Sequence, residues 1–305
     1  MTRNRWGETD IPDQAGRVAL VTGPTSGIGY ETARALATRG AWVILAGRSS
    51  DRLATAEQGI TRKVPGARLS TVVCDVADLA SVAAAAEELK VGHPAIDLLI
   101  LNAGVMAPPR QVTVDGFELQ FATNHLGHFA LGAQILPLVN NEPGARVVAV
   151  SSLAHREGQI DFDDLTAERG YDAFARYRMT KLANLLFTFE LQRRLKGAGS
   201  NVAAFAAHPG VTATDLGRSL GSPAARVFQP LVLRMLQGAA AGALPTLRAA
   251  TDPDLEPGSY IGPARWGETR GHPVVVDPAA PALDHEVAGR LWAASEELTG
   301  VAWPL

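Results

Sequence analysis

RVALVTGPTSGIG, residues 17–29, opens as a short β-branched run and passes at once into a glycine-rich turn; residues 28–38 then carry a helical pattern. A strand that feeds a glycine-rich turn and then a helix N-terminus is a seat for a dinucleotide pyrophosphate. Glycine permits the tight turn and lets backbone N–H groups approach phosphate oxygens, and the helix dipole favours the negative charge. Thr22, Gly23, Thr25, Ser26, Gly27, Ile28 and Gly29 are therefore candidate cofactor-binding residues. A glycine-rich turn alone is weak evidence. Here strand, turn and helix stand in the required order.

Outward from this stretch, strand-like and helix-like segments alternate. Residues 42–46 (WVILA), 69–73, 97–101 (DLLIL), 146–150 (RVVAV) and 202–206 read as strands. The first of these is apolar throughout, as a strand buried on both faces should be. Residues 51–64, 81–90, 117–139 and 177–195 read as helices, and 154–171 as a charged loop. Further on, 223–250 reads as mainly helical with breaks at Pro230 and Pro245, 274–276 as a last strand, and 284–298 as a last helix. The alternation predicts parallel βαβ units with right-handed crossovers, an α/β fold with a single doubly wound, Rossmann-type parallel sheet flanked by helices. No linker or repeat divides the chain. One domain is expected over 1–305, with its core at about 15–277, a substrate lid at about 212–258 and the C-terminal helix at about 284–298.

Bulk properties exclude several classes. The chain has 305 residues, 47% of them hydrophobic and 19% charged, with a net charge of −3. No basic excess points to nucleic acid or to an anionic membrane. One cysteine, Cys74, allows no disulfide within the chain, which fits a reducing cytosol. There is no apolar run long enough to span a bilayer, and the first residues are polar. The expected protein is cytoplasmic, with a small-molecule partner, without nucleic-acid or membrane partners, and with homo-oligomerisation left open. Leu182, Leu185, Leu186 and Phe189 suit an interface and a core equally well.

The residue that ends the second strand selects between nicotinamide cofactors. A carboxylate there accepts from a ribose 2′-OH and repels a 2′-phosphate; an arginine does the reverse. The sequence reads Ala46-Gly47-Arg48-Ser49-Ser50, with no acid, so Arg48 points to NADP(H).

Tyr177 and Lys181 stand at i and i+4, one turn apart on one helix face. A free tyrosine titrates near about 10, and a neighbouring ammonium favours the phenolate and makes proton exchange easier. Ser151 and Ser152 close the fifth strand, at the carboxyl end where α/β sheets bind ligands. A hydroxyl there stabilises charge on a substrate oxygen, although serine also caps turns. Asn124 falls mid-helix, a poor place for asparagine, which suggests a second job such as holding a water linked to Lys181. In Asn102-Ala103-Gly104, after the fourth strand, the glycine lets backbone approach a cofactor and the asparagine secures the turn.

Gly23, Gly27 and Gly29 are spaced G-x-x-x-G-x-G, not as in ordinary dinucleotide-binding dehydrogenases. With the other motifs in order, the chain resembles the short-chain dehydrogenase/reductase family over about residues 17–276. The resemblance implies a catalytic tetrad of Asn124, Ser152, Tyr177 and Lys181. It also places Asp75 and Val76 at the adenine, although Asp75 suits a turn cap as well. His208-Pro209-Gly210-Val211-Thr212 resembles the segment over the nicotinamide, with the Val211 amide toward the carboxamide and Thr212 toward the phosphates. Ser152 and Tyr177 are 25 positions apart, roughly a dozen more than in most of the family, an insertion of the kind surface loops hold. That gap, with Asn124-His125-Leu126-Gly127-His128 and Ser151-Ser152-Leu153-Ala154-His155, is similar to the retinol dehydrogenase and WW-domain oxidoreductase branch. The membrane anchor and WW domains of those relatives have no counterpart in the sequence, and retinoid substrates are not carried over.

The expected activity is NADP(H)-dependent hydride transfer between nicotinamide and a carbonyl or alcohol. Leu216, Leu220, Val227, Phe228, Leu231, Leu233, Met235 and Leu236 point to a hydrophobic substrate. The alternative, a non-catalytic NADP(H)-binding redox sensor, would be expected to lose the tyrosine or lysine. His125 and His128 share a helix face, but no further ligand pattern supports zinc, so no metal is expected. Ser152 lacks the G-x-S-x-G of a serine hydrolase.

Overall fold

The computed structural model describes residues 5–93, 95–211 and 237–305. Its strands are β1 (Val18–Thr22), β2 (Trp42–Gly47), β3 (Leu69–Val73), β4 (Leu98–Leu101), β5 (Arg146–Val150), β6 (Ala203–Ala207), β7 (Tyr260–Arg265) and β8 (Arg270–Val275). They form one sheet in the order β3-β2-β1-β4-β5-β6-β7-β8. The pairs from β3 through β7 are parallel, and β8 returns antiparallel to β7. This is the doubly wound sheet expected from the sequence. β1 pairs with both β2 and β4, so the winding reverses beside it and leaves a crevice at the strands' carboxyl ends.

The helices are α1 (Gly27–Thr38), α2 (Ser50–Lys63), α3 (Leu79–Gly92), α4 (Leu119–Phe121), α5 (Gly127–Ile135), α6 (Ala173–Gly197), α7 (Ala239–Thr251) and α8 (His285–Thr299). Side chains alternate across each strand. Leu20, Ile44, Leu99 and Val147 pack on one face; Val21, Leu45, Ile100 and Val148 pack on the other. Each such buried side chain contributes about 1.5–3 kcal/mol. Trp292 of α8 and the following Trp303 close a cluster over Phe129 of α5 and Phe187 of α6. The Phe129–Trp292 ring centroids are 5.1 Å apart and the Phe187–Trp303 centroids 5.6 Å. Gly132 makes room for this: a Cβ there would lie 2.7 Å from the Trp303 ring.

Several elements differ from the sequence reading. The helix expected at 117–139 is interrupted by a π-helical turn, Ala122–Leu126, between α4 and α5. α6 begins at Ala173, not at 177, because the Asp172 carboxylate accepts the Ala175 N–H and caps it. Pro245 does not break α7, although the proline, having no N–H, leaves the Ala241 carbonyl without its helical donor. β7 had no counterpart in the reading; Pro263 within it lies opposite Pro273 of β8. Of the segment expected to cover the substrate side, 212–236 lies outside the described residues. The remainder forms α7, whose Ala243, Leu247 and Ala250 share a buried cluster with Ala33 and Leu36 of α1.

Arg146 at the start of β5 is buried. It donates to the Ala249 carbonyl at 2.8 Å and the Asp252 carbonyl at 2.7 Å, which caps the end of α7. Its guanidinium lies 4.6 Å from the Phe205 ring centroid. Among the described residues no helix is long and apolar enough to cross a membrane.

Candidate active site

The crevice beside β1 is a cleft of about 770 Å³. One wall is the turn from β1 into α1: Thr22, Gly23, Thr25, Ser26, Gly27, Ile28 and Gly29. The ends of β2, β3 and β4 add Arg48, Asp75 with Val76, and Asn102-Ala103-Gly104. A second groove, about 850 Å³, lies toward the start of β6 and carries none of the expected residues. Its distance from the strands' carboxyl ends makes it the lesser candidate.

The glycines are required by contact. Gly23 has φ +67°, and a Cβ on it would lie 2.9 Å from Ala103 Cα. A Cβ on Gly29 would run into the Gly23 carbonyl and Asn102 Nδ2. The cleft floor is therefore bare backbone at the N-terminus of α1, which fits a dinucleotide pyrophosphate. Thr22 and Asn102 lock the two turns together. Thr22 Oγ1 accepts the Asn102 and Ala103 N–H groups at 2.9 and 3.0 Å, and Asn102 Nδ2 donates to the Thr22 carbonyl at 2.9 Å.

Arg48 is exposed on the cleft rim, with Ser49 and Arg52 lining the same wall. The sequence reading missed Arg52. Its signal was available: it follows Arg48 by four residues, in the first turn of α2, whose N-cap Ser49 accepts the Arg52 N–H at 3.4 Å. Asp75 lines the cleft and also accepts the Ala77 N–H at 3.0 Å, the turn cap expected of it.

Gly104 joins the cleft to the remaining groups. A Cβ on it would lie 3.1 Å from Asn124 Oδ1 and 3.7 Å from Lys181 Nζ. Asn124 sits in the π-helical turn with its amide engaged. Oδ1 accepts the Val105 N–H at 2.8 Å, and Nδ2 donates to the Val105 carbonyl at 3.0 Å and to Thr180 Oγ1 at 2.9 Å. Lys181, buried, donates to the Val150 carbonyl at 3.1 Å and stands 5.7 Å from the Tyr177 ring centroid. Both are on α6. The two serines after β5 divide their tasks. Ser151 is buried and donates to the Lys181 carbonyl at 2.7 Å, which pins α6 to the strand. Ser152 is half-buried; its Oγ accepts the Ala154 N–H at 3.2 Å and keeps its own proton to donate.

The segment after β6 departs from expectation. The Val211 N–H, expected to face a carboxamide, donates to the Thr269 carbonyl at 2.9 Å because the β7–β8 turn closes against it. Among the described residues that line the cleft, Pro209, Gly210 and Val211 are absent, as are Asn124, Ser152, Tyr177 and Lys181. Gly210 has φ +72° and abuts Thr269, and Thr212 lies outside the described residues.

Histidines surround these groups. His125 Nε2 pairs with Ser295 Oγ at 2.9 Å and His128 Nε2 with Thr22 Oγ1 at 2.9 Å. Burial pushes their pKa values down to about 3 and about 4. His155 supports the serine turn. Its Nε2 accepts the Ala279 N–H at 3.1 Å, so Nδ1 carries the hydrogen and donates to the Ser152 carbonyl at 2.6 Å. His208 Nε2 donates to Glu268 at 3.1 Å, and Arg156 holds the other oxygen of that carboxylate at 2.5 Å. The Arg156 contact ties the turn after Ser152 to the β7–β8 turn.

Comparison with known proteins agrees with this geometry. The family described as short chain dehydrogenase matches residues 17–224. Mouse retinol dehydrogenase 12 is 38% identical over 294 residues, 94% of this chain and 88% of the relative. Human retinol dehydrogenase 13 is 38% identical over 296 residues, 95% of this chain and 86% of the relative. A crystal structure of an uncharacterised protein from Mycobacterium paratuberculosis superimposes with a TM-score of 0.81 at 40% identity, covering 99% of this chain and 100% of that one. The chain therefore belongs to the short-chain dehydrogenase/reductase family, in the retinol dehydrogenase branch, and is a nicotinamide-dependent oxidoreductase acting on CH–OH or C=O groups.

Proposed function

We propose that the protein is an NADP(H)-dependent oxidoreductase for an apolar carbonyl or alcohol, with Ser152, Tyr177, Lys181 and Asn124 around the reacting centre. The observation that carries this reading is the junction at Gly104, where the cleft meets Asn124 and Lys181 within 3.7 Å of the place a Cβ on that glycine would take. Thr22 to Gly29 would hold the pyrophosphate, Asp75 and Val76 the adenine end, and Arg48 with Arg52 a 2′-phosphate. Hydride is what the nicotinamide supplies when bound.

The chain's own groups handle the oxygen and its proton. Ser152 Oγ donates to the substrate oxygen and holds it toward Tyr177. Tyr177 delivers a proton to that oxygen in reduction and removes it in oxidation. The Lys181 ammonium, fixed by the Val150 carbonyl, favours the phenolate form of Tyr177. Asn124 keeps the turn beside Lys181 in place through Val105 and Thr180. An apolar substrate is supported by the relatives' name, since retinol is an apolar alcohol. A cytosolic location suits the single cysteine: Cys74 is buried and burial pushes its thiol up to about 12.

The test is a screen of apolar aldehydes and ketones followed by NADPH absorbance, with Tyr177→Phe beside the wild type. Wild-type turnover is expected, with a loss of about 10²–10⁴-fold in the variant and NADPH binding retained by fluorescence. A variant that stays near wild-type activity overturns the assignment. NADPH binding without any turnover by the wild type would favour the sensor reading.

A further inference from the structure

His128 has no role in the site as described so far, yet it stands between the cofactor turn and Asn124. Its Nε2 lies 2.9 Å from Thr22 Oγ1, and its Nδ1 lies 3.3 Å from the Asn124 backbone oxygen. The Asn124 carbonyl can only accept, and this sets the direction of both bonds of a neutral ring. Thr22 Oγ1 already accepts two backbone N–H groups, from Asn102 and Ala103. Its one proton lies between two acceptors, His128 Nε2 at 2.9 Å and the Ile100 carbonyl at 3.3 Å, and the histidine contact is the shorter. His128 Nε2 therefore accepts from Thr22, and Nδ1 carries the ring hydrogen toward the Asn124 carbonyl. The other tautomer would face that carbonyl with a lone pair.

The ring is buried and neutral. Burial and the nearby Lys181 charge both disfavour its protonated form, and together they outweigh the Asn124 bond. Asn124's amide is committed to Val105 and Thr180. The Asn124 backbone carbonyl is a separate acceptor, and His128 is the side chain that reaches it.

We infer that His128 is a positioning residue: one neutral imidazole links the Thr22 turn of the cleft to the Asn124 carbonyl in the π-helical turn. The hydrogen-bond geometry stands by itself; its consequence for turnover rests on the oxidoreductase chemistry proposed above. The link runs from β1 through the ring to the π-helical turn. It sets the cofactor turn and the proton-handling turn by a single contact pair at each end. Loss of the ring leaves the Thr22 hydroxyl with only its longer contact to the Ile100 carbonyl, takes a donor from the Asn124 carbonyl, and cuts the tie of the π-helical turn to β1.

Two measurements on the full chain test this. The first is nitrogen-15 NMR of the histidine rings in the wild-type protein, with His128 assigned by its absence in His128→Gln. A hydrogen on Nδ1 and an unprotonated Nε2 are expected, opposite to the preference of a free histidine side chain. A hydrogen on Nε2 overturns the inference, whatever the enzyme does. The second is kinetic. His128→Leu should lower kcat by about 10-fold or more, with the NADPH Kd moving by less than about threefold. His128→Gln, whose amide can both donate and accept, should recover part of the loss. Thr22→Val added to His128→Leu should cost less than the two single losses combined, as expected of one shared contact. A His128→Leu kcat within twofold of wild type overturns the positioning role. A wild-type protein that turns over no carbonyl sinks the function proposed above, and the NMR result still decides the hydrogen-bond assignment.

Discussion

Asn124 Nδ2 donates to Thr180 Oγ1 at 2.9 Å, and this bond joins the π-helical turn to the helix that carries Tyr177 and Lys181. The Thr180 hydroxyl in turn donates to the Tyr177 carbonyl at 2.8 Å. Thr180→Val keeps the shape and removes both bonds. It should lower unfolding free energy by about 1–3 kcal/mol and reduce kcat more than the NADPH affinity. Thr180→Ser should restore both. Urea unfolding and steady-state kinetics on the three proteins check this; a Thr180→Val enzyme with unchanged kcat counts against the coupling.

Arg48 and Arg52 share one wall of the cleft. A charge-assisted bond to a phosphate is worth about 1.5–3 kcal/mol. Arg48→Ala should therefore raise the NADPH KM by about 10- to 100-fold, with the NADH KM nearly unmoved. Arg52→Ala should act in the same direction, and more weakly if it serves as the outer of the two charges. Equal losses for both cofactors would remove the 2′-phosphate from the explanation.

Two helical glycines should respond with opposite signs. A Cβ on Gly127 would be driven into the Val76 carbonyl, whereas a Cβ on Gly289 meets nothing within 4 Å. Gly127→Ala forces backbone apart beside the cleft and should destabilise by about 1–3 kcal/mol. Gly289→Ala, inside α8, should stabilise by about 0.5–1 kcal/mol. Melting temperatures of the pair decide this; two shifts of the same sign would contradict the contacts.

Acid should weaken the fold before most carboxylates titrate. His125 and His128 are held near about 3 and about 4, against an ordinary value of 6.5. Between those limits the unfolded chain binds protons that the native state refuses, so stability falls as pH drops from about 6.5 toward 4. Each proton contributes a slope of at most about 1.4 kcal/mol per pH unit. Below that window Glu8, Glu190 and Glu268, whose pKa values are lowered by arginine or histidine partners, withdraw support in the same direction. Urea midpoints at pH 7.5 and 5.5 should show the drop, and His125→Phe should show less of it.

The parts that the sequence announces are those where local chemistry and global fold agree. Gly23 and Gly29 are demanded by backbone contacts and Gly27 by its φ of +59°, and the buried parallel strands show as unbroken apolar runs. Residues whose role depends on distant partners were harder to read. β7 exists because β6 and β8 pair with it, and Pro263 and Gly262 hide it from any strand pattern. The π-helical turn has no propensity signature; it follows from the Asn124 bonds and the Gly127 contact with Val76. The Val211 amide was assigned to a ligand because the turn at Thr269 that consumes it could not be foreseen. Asn124 stands out in the sequence as a poor helix former in mid-helix, and its amide braces Val105 and Thr180.

Arg146 has a consequence for biogenesis. The carbonyls it needs arrive 103 and 106 positions later in the chain. During synthesis, β1 to β5 emerge while this guanidinium still has water as its only partner, and burying it then would strand a cation. The central strand must therefore leave one end hydrated until α7 is made. The nascent chain is held open on that flank until α7 docks and supplies the carbonyls that solvate the cation.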